Sequence, residues 1–233
     1  MNLYVLNVRW LYEEHNFFSL LGCVGEDRRK KALSFHFVKD KALSLGAGLL
    51  LNFALLSEAP GLMIPPRFRL EAWGKPFLAE HEAPAISLTH SGEYAACAIG
   101  REEVGVDIEQ VGSAVADVAC RCFVGQELSR VMPDGHHLDA EEFYRLWTMK
   151  ESFIKRIGTG LSLDPLRFEI LTGERFLVRQ DYDTRCYHCK LYEELPGYKL
   201  ALCMSDGEFP EKVMNIKQDE LYAAVTQNIK YRK

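Results

Sequence analysis

The segment Asp139–Gly160, D-A-E-E-F-Y-R-L-W-T-M-K-E-S-F-I-K-R-I-G-T-G, constrains the fold of this chain more than any other. Asp139 with Glu142 three residues on is a capping-box start, and Gly158 is a left-handed stop. Between them Phe143, Leu146, Trp147, Met149, Phe153, Ile154 and Ile157 largely keep helical spacing, which predicts one amphipathic helix. At about 100° per residue, Tyr144, Thr148, Glu151 and Lys155 share one narrow stripe. Glu151 sits beside Trp147 and Ile154 at the edge of the apolar face. A carboxylate there is partly desolvated yet reachable, which suits a metal ligand or a proton acceptor. The plainer reading of the same residues is a surface Glu/Lys pair at i,i+4, worth roughly 0.2–0.5 kcal/mol.

A second acidic stretch lies upstream, Val104-Gly105-Val106-Asp107-Ile108-Glu109. Strand alternation sends Val106 and Ile108 to one side and Asp107 and Glu109 to the other. Two carboxylates so placed lie roughly 6–7 Å apart at the backbone. Mg²⁺ takes oxygen ligands of this kind, usually only one or a few carboxylates together with substrate phosphates. A solvated strand face is the plainer alternative.

The remaining elements follow in order. Leu3–Trp10 reads as a strand, Glu26–Phe37 as a helix opening on the basic run Arg28-Arg29-Lys30-Lys31, and Lys41–Leu56 as a helix capped by Asp40. Gly61–Pro66 is a breaker-rich turn, Arg67–Ala72 a short strand, and Gly74-Lys75-Pro76 a turn. Ala85–His90 and Tyr94–Ile99 form a hairpin around Ser91-Gly92-Glu93. After the strand Val104–Glu109, a helix is expected over Ala116–Val131, then the Asp139 helix. Strands are expected at Leu166–Leu171, Arg175–Arg179, Cys186–Tyr192 and Lys199–Met204. The order of strand, two helices and several strands therefore occurs twice, which predicts an α+β protein of two similar halves, 1–102 and 103–233, packed face to face. The tail from Gln218 to Lys233 reads as a weakly amphipathic helix with a basic end and no assigned task.

Composition narrows the function. The chain has 233 residues, 48% hydrophobic and 26% charged, ample for a real core. A net charge of −5 argues against general nucleic-acid binding, so any phosphate site must be a local basic patch. The seven cysteines, with a lone Cys186-Tyr-His-Cys189, match neither a secreted disulfide framework nor a zinc site, and are expected to be reduced and mostly buried. His136-His137 lies in a Pro/Gly loop without carboxylate or thiolate company at suitable spacing for a metal and reads as exposed loop. The N-terminus shows no basic leader with a cleavage site, and the longest uncharged run, Ala42–Ser57, is shorter than the roughly 20 residues of a membrane span. A soluble cytoplasmic protein is the expectation.

Gly105-Val-Asp107-Ile-Glu109 followed by Trp147-Thr-Met-Lys-Glu151-Ser-Phe-Ile-Lys155 resembles the signature of 4′-phosphopantetheinyl transferases of the surfactin-synthetase-activating (Sfp) type. Gly74-Lys75-Pro76 and Ser87-Leu88-Thr89-His90-Ser91-Gly92 occur in the family's order, and the likeness weakens from about Glu208. The resemblance implies a pseudo-twofold monomer with its active site in the cleft between halves. It also implies transfer of 4′-phosphopantetheine from coenzyme A to a serine of an acyl or peptidyl carrier protein, as in nonribosomal peptide or polyketide biosynthesis. Asp107, Glu109 and Glu151 are then the Mg²⁺ ligands, Glu151 the candidate base, and Lys155 the cation that stabilises or protonates the departing phosphate. Lys150 is a secondary candidate for orienting phosphates.

By the same resemblance Arg28 and Lys31 approach the 3′-phosphate of coenzyme A, and Ser44 takes the family's hydroxyl position. Lys75 and Pro76 lie near the adenine and ribose, and Thr89 and His90 bind a phosphate oxygen. Many relatives carry Arg where this chain has Leu43; Lys39 and Lys41 are the nearest cations. The carrier is expected to dock on Val111–Val131 through an apolar patch with local Arg such as Arg121, since both partners are acidic. Two alternatives are a non-catalytic module of the same fold that binds coenzyme A or a carrier, and the short trimeric transferases, whose chains are about half this length.

Overall fold

A computed structural model describes residues 1–114, 116–173 and 175–230. They form two compact units, one of Met1–Leu70, Pro76–Arg101 and Pro210–Lys233, the other of Glu71–Lys75 and Glu102–Phe209. The fold is α+β, as the element order predicts.

The first unit begins with β1 (Asn2–Asn7), α1 (Glu14–Leu20), α2 (Glu26–Ser34) and α3 (Val38–Glu58). It continues through β2 (Phe68–Leu70), β3 (Pro76–Leu78), β4 (Ala85–Ser91) and β5 (Tyr94–Gly100). α3 has fourteen consecutive buried residues, Ala42 to Leu55, because the sheet, α2 and the C-terminal helix all lie against it. Asp40 falls inside the first turn of α3 rather than at its cap, where a carboxylate complements the positive helix end. α2 stops at Ser34 rather than Phe37, because Phe35 is already extended.

The second unit contains β6 (Val104–Gln110), α4 (Ala116–Cys122), α5 (Gly125–Val131), α6 (Ala140–Ile157), β7 (Glu169–Leu171), β8 (Phe176–Arg179), β9 (Tyr187–Tyr192) and β10 (Tyr198–Met204). The single helix expected over 116–131 is two, because Val124 is extended and the Glu127 carboxylate turns back to accept its N–H. The strand expected from Leu166 starts only at Glu169, since Asp164 and Pro165 open a 3₁₀ turn first. The sheet order is β6-β10-β9-β8-β7.

β11 (Met214–Ile216) and α7 (Gln218–Lys230) then return to the first unit. β11 pairs parallel to β1, completing the order β11-β1-β5-β4, and α7 packs on α3. The expected tail helix thus covers α3, a task its weak pattern did not disclose. Its basic end, 231–233, lies outside the described residues. No described helix is long and apolar enough to cross a membrane.

α6 positions the candidate site. Asp139 accepts the Glu142 N–H at 3.1 Å, and Gly158 closes the helix at φ +86° with its N–H on Ile154 O. Its apolar face, Phe143, Leu146, Met149, Phe153 and Ile154, forms the unit's core with Phe123, Phe168 and Tyr187. What sets its height above the sheet is Gly105. A Cβ there would lie 1.9 Å from Ser152 O and 2.4 Å from Arg156 N, so the backbones of β6 and α6 touch. Gly105→Ala is therefore expected to cost about 3 kcal/mol and to lower the Tm by about 6–12 °C in thermal unfolding followed by circular dichroism. An unchanged Tm would mean that α6 does not rest on this strand.

Candidate active site

Because Gly105 faces α6, alternation turns Asp107 and Glu109 to the same side. Lys155, in the last turn of α6, reaches down to Asp107, with Nζ 2.5 Å from Oδ1. The Asp107 side chain is only 4% exposed while Lys155 is 31% exposed, so the pair is sealed at its acidic end and open at its basic end. The solvated strand face is thereby excluded for Asp107. Glu151, one turn before Lys155, is half-buried. Burial, then the Asp107 and Glu109 charges, raises its carboxyl from the ordinary 4.5 to about 7, against the pull of Lys155. Such a group can take up a proton near neutral pH.

The neighbouring lysine of the same motif has another role. Lys150 is fully buried and pairs with the equally buried Glu127 at 2.9 Å. Its remaining protons go to Pro165 O at 2.8 Å and Phe168 O at 2.7 Å. Glu127 in turn accepts from Ile170 N and Val124 N. Lys150 thus ties α5 and the start of β7 to α6 and cannot orient a substrate phosphate. Thr148 is likewise buried, its hydroxyl donating to Tyr144 O at 2.6 Å.

Two residues that sequence reasoning left out stand at this site. Gly105 matters for its missing side chain, and a glycine inside an otherwise buried strand was the signal available. Lys199 lies directly across from Glu109 on β10 and pairs with Glu141 of α6 at 2.6 Å. Nothing in a single sequence marks that lysine.

The residues assigned to coenzyme A lie as follows. Arg28 and Lys31 on α2 line one cavity of about 640 Å³, together with Asn52, Met63, Arg67 and Phe68. The Arg28 stem crosses α3 at Gly48, where a Cβ would come within 2.9 Å of it. Ser44 lies one turn earlier on α3, buried and with no hydrogen-bond partner for its hydroxyl among the described residues. Leu43 is a core residue of this unit. Thr89, buried, and His90, exposed, lie just before the end of β4. Pro76 is exposed at the start of β3. Lys75, in the second unit, bonds Glu103 at 2.7 Å and Arg156 O at 3.4 Å, at the C-terminal end of α6. Ser44, Lys75, Pro76, Thr89 and His90 do not line the cavity of Arg28 and Lys31.

A family model described as the 4′-phosphopantetheinyl transferase superfamily matches residues 103–203, from before β6 into β10. Over 201 residues the chain is 30% identical to 4′-phosphopantetheinyl transferase Sfp of Bacillus subtilis (strain 168), spanning 85% of this chain and 89% of that protein. The chain belongs to this superfamily. It is also 30% identical over 205 residues to the transferase ffp of Bacillus subtilis, with 87% and 91% covered. To the transferase gsp of Aneurinibacillus migulanus it is 29% identical over 198 residues, with 82% and 80% covered. The protein is accordingly an enzyme, a phosphopantetheinyl transferase.

The donor chemistry of Asp107, Glu109 and Glu151 in this transferase suits a hard divalent ion, being three carboxylates, with the charges of the first two felt at Glu151. Among the described residues, however, no three His, Cys, Asp or Glu side chains are arranged around one point. Asp107 faces the Lys155 ammonium instead. The seven cysteines are free, with only Cys120 and Cys186 exposed. His137 is exposed and bonded to Asp134, as a loop residue should be.

The raised Glu151 carboxyl fixes the sign of a pH effect. The folded protein holds this proton more tightly than the unfolded chain, so this group's contribution to stability is full below pH 4.5 and is lost as pH rises through about 7. In urea titrations of chelator-treated protein, Glu151→Gln is expected to lose this decline while retaining the wild-type trend elsewhere. Parallel wild-type and variant profiles between pH 4.5 and 7 would contradict the shift.

Proposed function

We propose that this transferase moves the 4′-phosphopantetheine arm of coenzyme A to a serine hydroxyl of an apo acyl or peptidyl carrier protein and releases 3′,5′-ADP. The observation that carries this reading is a half-buried carboxyl raised to about 7, with two further carboxylates in electrostatic reach and a lysine one turn away. Serine is a poor nucleophile at neutral pH, so its proton must be taken as it attacks. Glu151 accepts that proton as the serine oxygen bonds to the pantetheine-side phosphorus. The bond from this phosphorus to the bridging oxygen breaks, and the leaving 3′,5′-ADP carries the negative charge. Lys155, on the same face of α6, stabilises or protonates that departing phosphate.

Asp107, Glu109 and Glu151 would hold Mg²⁺, which supplies charge neutralisation for the pyrophosphate when bound. A ligating carboxylate has a lowered proton affinity, so Glu151 serves as full ligand or as base, not both at once. Arg28 and Lys31 are assigned to the 3′-phosphate, supported by their shared cavity. Ser44, Lys75, Pro76, Thr89 and His90 are assigned to the same substrate by family resemblance. For the carrier, α4 offers Val118 and Arg121, both exposed and three residues apart on one face, while residue 115 lies outside the described residues. Carriers of nonribosomal peptide or polyketide synthesis are the proposed class, and the enzyme acts as a monomer. The matching pattern of first strand, long helix and antiparallel return strand in each unit supports descent of both from one duplicated element.

Incubation with a panel of apo-carriers, coenzyme A and Mg²⁺ should raise a carrier's mass by one phosphopantetheine arm. Glu151→Gln should slow transfer by about 10²–10⁴-fold while still binding coenzyme A. No mass gain on any carrier would reject the reaction.

A further inference from the structure

The carboxylates assigned above to a divalent ion already have a cation among them. Lys155 Nζ lies 2.5 Å from Asp107 Oδ1, within electrostatic reach of Glu151. The two ends of this pair differ in exposure. Asp107 is fixed on β6, with Ala201 of β10 beside it and α6 above, and its side chain is sealed. Lys155 carries its charge on a flexible four-carbon stem, is partly exposed, and has a head group that water solvates well. Displacing Lys155 costs little beyond the pair itself. Removing the Lys155 charge from beside Asp107 with no cation in its place costs more, because the repulsion of Asp107 and Glu109 on Glu151 is then less offset in a partly desolvated place.

We propose that Lys155 is the resident counter-cation of the metal-free carboxylate group and competes with the divalent ion for Asp107. Entry of the ion then requires the ammonium to leave Asp107. Lys155 thereby becomes available, one helical turn from Glu151, for the substrate's phosphate. Loading of the metal and readiness of the phosphate-binding lysine become one event. The proposal rests on the metal assignment of the preceding section and adds a role for Lys155 that a phosphate ligand alone would not have.

The test uses Mn²⁺ alone, with the full-length chain stripped by chelator and free of coenzyme A, and reads free Mn²⁺ by electron paramagnetic resonance. Lys155→Met is expected to bind Mn²⁺ about ten-fold tighter than wild type, because no ion pair has to break first. Its Tm should also rise more on Mn²⁺ addition than that of wild type. Lys155→Arg, which keeps the charge and can grip a carboxylate with two N–H groups, is expected to bind Mn²⁺ more weakly than wild type. It keeps the question open to test if Lys155→Met does not fold. Equal Mn²⁺ affinity in wild type and both variants, with binding lost in Asp107→Asn, would overturn the exchange and leave the metal assignment intact. Mn²⁺ binding that is indifferent to Asp107→Asn and Glu151→Gln would overturn both.

Discussion

The contact between the backbones of β6 and α6 at Gly105 governs the candidate site. Helices normally stand off a sheet by the thickness of interdigitated side chains, about 10 Å between axis and sheet in ordinary packing. Here the missing side chain lets Ser152 O and Arg156 N descend into the space a Cβ would occupy. That approach brings the side chains flanking Ser152 and Arg156 down to the strand. Lys155 consequently meets Asp107, and Glu151 comes under the influence of Asp107 and Glu109. Burial of Asp107 and the raised carboxyl of Glu151 both follow from the same short distance.

A second layer of buried polar contacts holds α6 from its other side. The Lys150–Glu127 pair is wholly enclosed, and every group around it is satisfied by backbone partners from the 165–170 segment and Val124. Glu169, also buried, bonds Gln126 N and pairs with Arg179. A buried pair of this kind adds little net stability, since desolvation offsets its attraction, but removing one partner alone leaves an uncompensated charge. Its service is geometric: it fixes where α5 and β7 meet α6. The adjacent motif residues Lys150 and Glu151 therefore sit in opposite settings, one enclosed and holding the scaffold, the other half-buried and within electrostatic reach of the β6 carboxylates.

Much of this was legible in the residues. The α6 boundaries followed from Asp139 and Gly158, and the strand from Val104 followed from its alternation, because each signal is local. That β6 and α6 carry side chains belonging near one another was legible only through the joint motif, since 29 residues lie between strand and helix. Four things were not legible. Lys150 reads like any helical lysine, and its burial depends on Glu127, whose helix boundary was itself hidden by an apolar run through Phe123-Val124. Lys199 acquires its place only through strand register. β11 is three residues long and pairs parallel with a strand more than two hundred residues earlier, so no periodicity announces it. The pairing of Asp107 with Lys155, rather than with its fellow carboxylates around one ion, reflects electrostatics of the metal-free state that a motif does not encode.

The claim that α6 is set down on β6 so that Lys155 lies on Asp107 is tested most directly by a double-mutant cycle on chelator-treated protein. Unfolding free energies of wild type, Asp107→Asn, Lys155→Met and the double variant would be measured in urea at neutral pH. The account predicts a coupling of about 1–3 kcal/mol between the two sites. A coupling indistinguishable from zero would contradict it.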